Sequence, residues 1–107
     1  MIFHLARRFD GVDGGIRLDP MSLATEGFVH CSTEEQIETT ANSYFAGVDD
    51  LVLVTIDENR LTSELCWEDS HGDGRLFPHL YGPIDAEAVM AATSWQPDAD
   101  GVYRRRQ

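Results

Sequence analysis

The sequence predicts a small α+β domain in which a curved, mostly antiparallel sheet packs against one main helix. Short apolar and β-branched segments separated by turn residues, Leu51 to Ile56 above all, are typical of strands. One longer stretch, from Ser32 to Gly47, has helical periodicity. The resulting order of strand, loop, strand, helix and then mainly strands is typical of α+β folds. At 107 residues the chain is expected to form one domain, over residues 1–107.

The first half of the chain is predicted to hold two strands, a helical turn and the main helix. We expect a strand over residues 2–6, a turn-rich loop over 7–20, a helical turn over 20–25 and a strand over 27–31. Ser32 is expected to cap the main helix, with Glu35 as its capping-box partner, and Gly47 to end it. The residues predicted to share the buried face of this helix are Ile37, Ala41, Tyr44 and Phe45.

The second half is predicted to be mainly strands. Residues 51–56 are expected to form a strand buried on both faces, and residues 65–68 a short strand. Residues 76–84 are extended, but Pro78 and Pro83 limit hydrogen bonding and indicate an edge strand or a bulge. Turns are expected at 57–61, 71–74 and 97–101, and residues 86–95 are expected to lead through a helical turn into a last strand.

The charge of the chain is strongly negative, at −11. Charge of this sign repels nucleic acid and anionic membranes, so neither is an expected partner. The chain contains no lysine, which excludes Schiff-base chemistry and leaves arginine as the cation for a phosphate or carboxylate. The arginines at 104–106 read as a solvated tail. Two isolated cysteines and no recognisable signal peptide indicate a cytoplasmic protein with free thiols.

Three histidines occupy apolar, aromatic-flanked segments that read as strands. They are His4 near the start, His30 in the segment GFVHCST and His79 in the segment FPHLYGP. At neutral pH an imidazole can donate or accept a hydrogen bond, transfer a proton or bind a metal. Alternation along the second of these segments places Tyr81 on the same face as His79, so that an aromatic ring could stack on a planar ligand.

Several interpretations of these histidines stay open. Each could be a core histidine bonded to the backbone, or all three could point into one cavity. A shared cavity could hold either an organic ligand or a three-histidine metal site, although no short helical ligand spacing such as H-x-x-x-H supports a metal. Glu68 is a possible acid–base carboxylate if partly buried near Trp67, or else a solvated strand-edge residue. His71, in a glycine-rich turn, is expected to be exposed.

The motifs together resemble a bacterial family of domains of unknown function, over nearly the whole chain. The segments that carry the resemblance are Phe3-His4, GFVHCST at 27–33, TANSYFAG at 40–47, DDLVL at 49–53 and FPHLYGP at 77–83. The resemblance implies a fold like that of the ADP-ribosyltransferases. In that superfamily a first-strand histidine contacts a ribose, and His4 resembles it. In many members a later strand supplies a catalytic glutamate, and the equivalent segment of this chain carries His79 instead. A histidine at this position resembles more nearly the variant members of the superfamily, including those that act on 2′-phosphorylated RNA ends.

The leading hypothesis is therefore a pocket for NAD, ADP-ribose or a related nucleotide. His4 and Ser32 would bond ribose hydroxyls, and Phe28 and Tyr81 would pack on a ring. His30 and His79 would orient the ligand or act as acid and base, with cleavage or group transfer at the nicotinamide ribose as the expected reaction. No metal ligand is assigned. The alternatives are a non-catalytic ligand- or protein-binding module, a three-histidine metalloenzyme and a purely structural or oligomerising domain.

Overall fold

The computed structural model describes residues 1–8 and 16–105. The predicted turns at Asp10-Gly11 and Asp13-Gly14-Gly15 lie outside these residues. The first half contains β1 (Ile2–Arg7), α1 (Met21–Thr25), β2 (Val29–His30) and α2 (Ile37–Tyr44). The second half contains β3 (Leu51–Ile56), β4 (Glu64–Glu68), β5 (Phe77–Tyr81) and β6 (Val89–Ser94). Short 3₁₀ helices lie at Glu58–Arg60 and Ala86–Ala88.

These strands form two antiparallel three-stranded sheets, with the orders β1-β3-β6 and β2-β5-β4. The predicted α+β class is confirmed, but the expected single curved sheet is two sheets. An isolated bridge between Phe3 and Ser32 joins them, with backbone N–H···O distances of 2.8 and 2.7 Å. Strand β2 is only two residues long and ends at His30. Phe3 of β1 pairs with Ser32, two residues beyond this end, and the two sheets meet at this pair.

The central strand β3 is covered on both faces, as its continuous apolar sequence predicts. Val52, Val54 and Ile56 pack into one core that also contains Val29 and Leu80 from the other sheet. On the opposite face, Leu51 belongs to a second core under α2. That second core consists of Phe3, Ile37, Ala41, Leu51, Trp95 and Tyr103.

Helix α2 begins later than predicted. Ser32 does not cap it, because the backbone of Ser32 pairs with Phe3 while its hydroxyl points to that of Thr40 at 3.3 Å. One residue further on, the N–H of Thr33 donates to Oε1 of Gln36, which is half of a capping box shifted by one position. The helix also ends earlier than Gly47, at Tyr44, whose side chain is exposed rather than buried.

Strand β5 lies in the centre of its sheet, so the prediction of an edge strand over this segment is wrong. In an antiparallel sheet the N–H and C=O of one residue point toward the same neighbouring strand. The backbone of Pro78 faces the segment that contains Cys31, so the missing N–H affects only that side of β5. The carbonyl of Pro78 accepts from the N–H of Cys31 at 3.1 Å. β2 ends at this point, so the missing N–H of proline costs little.

Residues 103–105, the last that the structure describes, are held against the domain. Arg104 and Arg105 therefore do not form the free tail that the sequence predicts, although Arg104 is exposed to solvent. Tyr103 is fully buried, its ring meets Trp95 edge-on, and its hydroxyl donates to the carbonyl of Val48. Arg104 pairs with Asp98 and Asp100, and the guanidinium of Arg105 lies 4.7 Å from the ring centroid of Phe3. Local carboxylates and an aromatic ring thus fix these cations.

Candidate functional site

A cavity of about 580 Å³ lies where β1, β2 and β5 meet α1 and α2. All four histidines line it: His4, His30, His71 and His79. Its volume is within the range typical of small-molecule sites, about 300–1,000 Å³. The three strand histidines therefore do share one cavity, the arrangement that the sequence left open.

Strand pairing brings these three histidines together. His30 on β2 and His79 on β5 are directly opposite partners, with ring centroids 5.6 Å apart. His4 on β1 donates from Nδ1 to the backbone carbonyl of His30 at 2.8 Å, since a carbonyl can only accept. His4 and His79 are buried, whereas His30 is exposed and its Nε2 lies 3.0 Å from Glu26.

His79 is held at both ring nitrogens. Its Nδ1 is 2.8 Å from Oε1 of Glu68 on the neighbouring strand β4, and its Nε2 is 3.2 Å from Oγ of Ser70. An ionised carboxylate only accepts, so Nδ1 carries the hydrogen and, in the neutral ring, Nε2 accepts from the serine hydroxyl. In the order carboxylate, imidazole, hydroxyl, the carboxylate orients the imidazole and the imidazole can accept the proton of the hydroxyl.

Glu68 is the carboxylate that orients the imidazole of His79. It accepts from the hydroxyl of Tyr81 as well as from His79, and these hydrogen bonds lower the pKa of the Glu68 carboxyl. The same contact with Glu68 raises the pKa of Tyr81 to about 12. Trp67 is 47% exposed, so the environment of Glu68 comes from β5 and not from the neighbouring indole.

Ser70 is positioned by the turn that follows β4. The carboxylate of Asp69 accepts four backbone N–H groups, from His71, Gly72, Asp73 and Gly74, at 2.7 to 3.2 Å. These hydrogen bonds lower the pKa of Asp69, the largest contribution coming from Gly74. The carboxylate thus organises the loop and holds the preceding β4 end and Ser70 over His79.

All four predicted ligand-binding residues contact other protein groups, His4 through the carbonyl of His30. The ring of Phe28 stacks on His79 with 4.1 Å between centroids, and it lies 5.5 Å from the ring of Tyr81. Neither Phe28 nor Tyr81 is among the residues that line the cavity, whereas His4 and Ser32 are. Ser32 is buried with its hydroxyl directed at Thr40. Phe28 thus contacts His79, and Tyr81 contacts Glu68, from positions outside the cavity lining.

The described lining of the cavity contains arginines but no acidic residue, although the chain is strongly acidic. Of the 19 acidic residues in the sequence, none is among the described residues that line the cavity, although Arg7 and Arg17 are. Arg7 pairs with Asp50 and Arg17 with Asp19, and neither carboxylate is among the residues that line the cavity. The charged side chains of the described lining are therefore cationic, although the chain as a whole carries a net charge of −11.

Several lining residues escaped the sequence reasoning. Ser70, Arg17 and Tyr44 gave no local signal, and His71, though exposed as expected, contributes to the cavity wall and stacks on Tyr44. One signal in the sequence could have been used: a glycine-rich turn separates Glu68 from His79, which is compatible with a hairpin whose two strands bring these side chains close together.

Metal-ligand geometry is absent within residues 1–8 and 16–105: no group of three or more His, Cys, Asp and Glu side chains there is arranged to hold a metal ion. The histidines share a cavity without forming a common ligand set. No helix among the same described residues is long and apolar enough to cross a membrane.

Comparison with known proteins identifies relatives of the whole fold. A family model described as "Protein of unknown function (DUF952)" matches residues 10–92. The crystal structure of protein CC0527 from Caulobacter crescentus is 34% identical with a TM-score of 0.79, and the match covers 96% of this chain and 92% of that one. The solution structure of the same protein is 35% identical with a TM-score of 0.76, covering 94% and 89% of the two chains. No curated protein matches the chain.

Proposed function

The chain belongs to the DUF952 family of proteins of unknown function, and we propose that its histidine-lined cavity binds a nucleotide-type ligand such as NAD or ADP-ribose. The observation that carries the proposal is the composition of the cavity wall. Four imidazoles and two guanidinium groups line it, and the described lining contains no carboxylate. Such a surface favours phosphate groups, which arginine recognises with paired donors.

The apolar part of the wall supports the same ligand class. Phe3, Tyr44, Phe45 and Phe77 line the cavity beside the imidazoles. A ligand that combines a planar base, ribose hydroxyls and phosphates would use all three kinds of group at once. The similarity to ADP-ribosyltransferases implied by the sequence motifs agrees with this class and adds NAD as the first ligand to test.

Within this proposal the predicted roles are distributed as follows. His4 and Ser32 would bond ribose hydroxyls, and Arg17 would bind phosphate. His30 and His79 would orient the ligand or transfer protons. Phe28 and Tyr81 would contribute through His79 and Glu68, which they contact, by holding the imidazole in one orientation.

Thermal denaturation with and without ligand tests the proposal. A ligand present at 100 times its dissociation constant adds about 2.7 kcal/mol to the free energy of unfolding, which for a domain of this size raises Tm by about 10 °C. We expect such a shift with NAD or ADP-ribose and a smaller one with nicotinamide alone. No shift with NAD, ADP-ribose or 2′-phosphorylated nucleotides at millimolar concentration would refute nucleotide binding.

Two arginine variants make the test specific. Arg17→Ala removes a lining cation that pairs with Asp19, and Arg60→Ala removes an exposed cation that pairs with Asp57 outside the cavity. Affinity for the nucleotide should fall about tenfold in the first variant and stay unchanged in the second. Equal affinities in both variants would remove the phosphate contact from the proposal.

The fate of the ligand separates an enzyme from a binding module. Prolonged incubation with NAD, followed by chromatography, should release nicotinamide if the bond at the nicotinamide ribose is cleaved, and His79→Gln should abolish the release. Intact NAD together with a ligand-induced shift in Tm would favour the non-catalytic module instead.

A further inference from the structure

Ser70 and His79, which line the cavity, form a second chemical unit with Glu68 outside the lining, and we propose that Ser70 is a nucleophile that accepts an acyl group from a small carboxylic ester. This inference does not depend on the nucleotide proposal. It rests on three side chains, from the end of β4, from β5 and from the loop between them, joined in the order needed to activate a hydroxyl.

The distances satisfy the first requirement of such a unit. Oγ of Ser70 lies 3.2 Å from Nε2 of His79, and Nδ1 of the same ring lies 2.8 Å from Oε1 of Glu68. The carboxylate fixes the tautomer, so the basic nitrogen of the neutral ring faces the hydroxyl. A serine whose proton can move to a neighbouring base becomes a useful nucleophile.

Burial satisfies the second requirement, which is a single orientation of the imidazole. His79 is 3% exposed, and the ring of Phe28 covers one of its faces. Glu68 is itself held by the hydroxyl of Tyr81. The imidazole therefore cannot turn away from Ser70 without breaking both a stacking contact and a charge-assisted hydrogen bond.

Access satisfies the third requirement. Ser70 is exposed and lines the same cavity as His79, so a substrate carbonyl can approach the hydroxyl from the cavity. The described part of the lining contains no acidic residue that would repel a developing oxyanion. The ring of His30 also lines the cavity, with its centroid 5.6 Å from that of His79. A small ester with an anionic group fits a wall that also carries Arg17.

The reaction divides into two balanced steps. Oγ of Ser70 bonds to the carbonyl carbon while its proton passes to Nε2 of His79, and the ester C–O bond then breaks as that proton goes to the departing alcohol. Water next bonds to the acyl carbon while its proton passes to Nε2 of His79, and the bond between that carbon and Oγ then breaks as the proton returns to Oγ. This step releases the carboxylic acid and restores the Ser70 hydroxyl. Ser70 and His79 are the catalytic residues, and Glu68 is a positioning residue.

A fluorophosphonate probe and p-nitrophenyl acetate test the inference directly. Peptide mass spectrometry of the wild type should show the phosphonyl group on Ser70, with release of p-nitrophenol from the ester. Ser70→Ala should abolish both, and His79→Gln should slow both at least about 100-fold. Ser43→Ala is the matched control, because Ser43 is exposed on α2 and is not among the residues that line the cavity, so both rates should stay unchanged.

A separate readout tests Glu68. Glu68→Gln should slow phosphonylation at least about tenfold and remove the downfield proton resonance of Nδ1–H in His79, while Tm shows that the variant is folded. No label on Ser70, or labelling that His79→Gln and Glu68→Gln leave unchanged, would overturn the inference. Nucleotide-induced shifts in Tm are measured independently, so either proposal can fail alone.

Discussion

The ring of Phe28 lies nearly parallel to the imidazole of His79, with 4.1 Å between centroids and 20° between the two planes. The same phenyl ring meets His30 edge-on at 4.7 Å. One aromatic side chain thus contacts both histidines of the cross-strand pair from β2 and β5. The orientation of the imidazoles therefore depends on a residue that does not line the cavity.

Phe28→Ala should loosen His79 and destabilise the domain. The ring is half-buried, so we expect a loss of about 2 kcal/mol in the free energy of unfolding, below the 3–5 kcal/mol typical of a fully buried phenylalanine. Urea denaturation measures this loss. Phe28→Leu keeps most of the apolar volume but removes the aromatic ring, and it should cost about half as much. No loss of stability in Phe28→Leu would contradict a specific stacking contribution.

Gly82→Ala should be disruptive for a steric reason. A Cβ at this position would overlap Oγ of Ser63 and lie 2.6 Å from the Cβ of Ser63. We expect a loss of about 1–3 kcal/mol, since the neighbouring backbone must move. In a double-mutant cycle, Ser63→Gly should recover most of the loss, and Ser63→Ala should recover little because its Cβ remains. Recovery by neither variant would place the cause elsewhere.

The sequence was sufficient for features whose cause is local. Strand β3 follows from six consecutive apolar or β-branched positions, and α1 and β1 lie where they were expected. In each case the signal is composition or periodicity within a short window, which needs no knowledge of partners. The sequence placed His4, His30 and His79 in strand-like segments but left open whether they share a cavity, and the structure shows that they do.

Long-range pairing was not readable in the same way. Pro78 argued for an edge strand, and only the shortness of β2 makes its central position acceptable. The contact between Glu68 and His79 depends on the register of β4 against β5, which pairs Glu68 with Phe77 and Cys66 with His79. Ser70 reaches His79 because Asp69 folds the following loop through four backbone hydrogen bonds, a geometry without a distinctive motif.

The two cysteines should differ sharply in reactivity. Cys31 is 3% exposed, and burial raises the pKa of its thiol to about 12. Cys66 is half-buried, and although its pKa is also raised, its sulfur is accessible. Iodoacetamide at pH 8, followed by mass spectrometry, should modify Cys66 and leave Cys31 intact until denaturant is added. Faster modification of Cys31 in the native protein would contradict its burial.

Cys31 should also make the fold sensitive to alkali. A folded-state pKa above the unfolded value stabilises the folded state below about pH 9, and this stability is lost as the pH rises toward 12. The expected slope is about 1.4 kcal/mol per pH unit in that window. Cys31→Ala should flatten the dependence of unfolding free energy on pH between 9 and 11 relative to the wild type. Identical slopes would show that the thiol does not ionise on unfolding.

Asn42 should be critical for holding the chain's last described segment. Its Oδ1 accepts from the N–H of Tyr103 at 2.8 Å, and its Nδ2 donates to the carbonyl of the same residue at 3.0 Å. Asn42→Ala would leave both backbone groups beside a fully buried tyrosine without these partners. We expect a loss of about 2–3 kcal/mol, measured by urea denaturation.

Asn59→Ala is the matched control, because Asn59 is exposed in a 3₁₀ helix and should change the free energy of unfolding by less than about 0.5 kcal/mol. Hydrogen exchange gives the second measurement. The amide of Tyr103 should exchange much faster in Asn42→Ala than in the wild type, since the acceptor of that N–H is removed. Unchanged protection at Tyr103 would show that the remaining contacts, with Trp95 and Val48, hold the segment in place without Asn42.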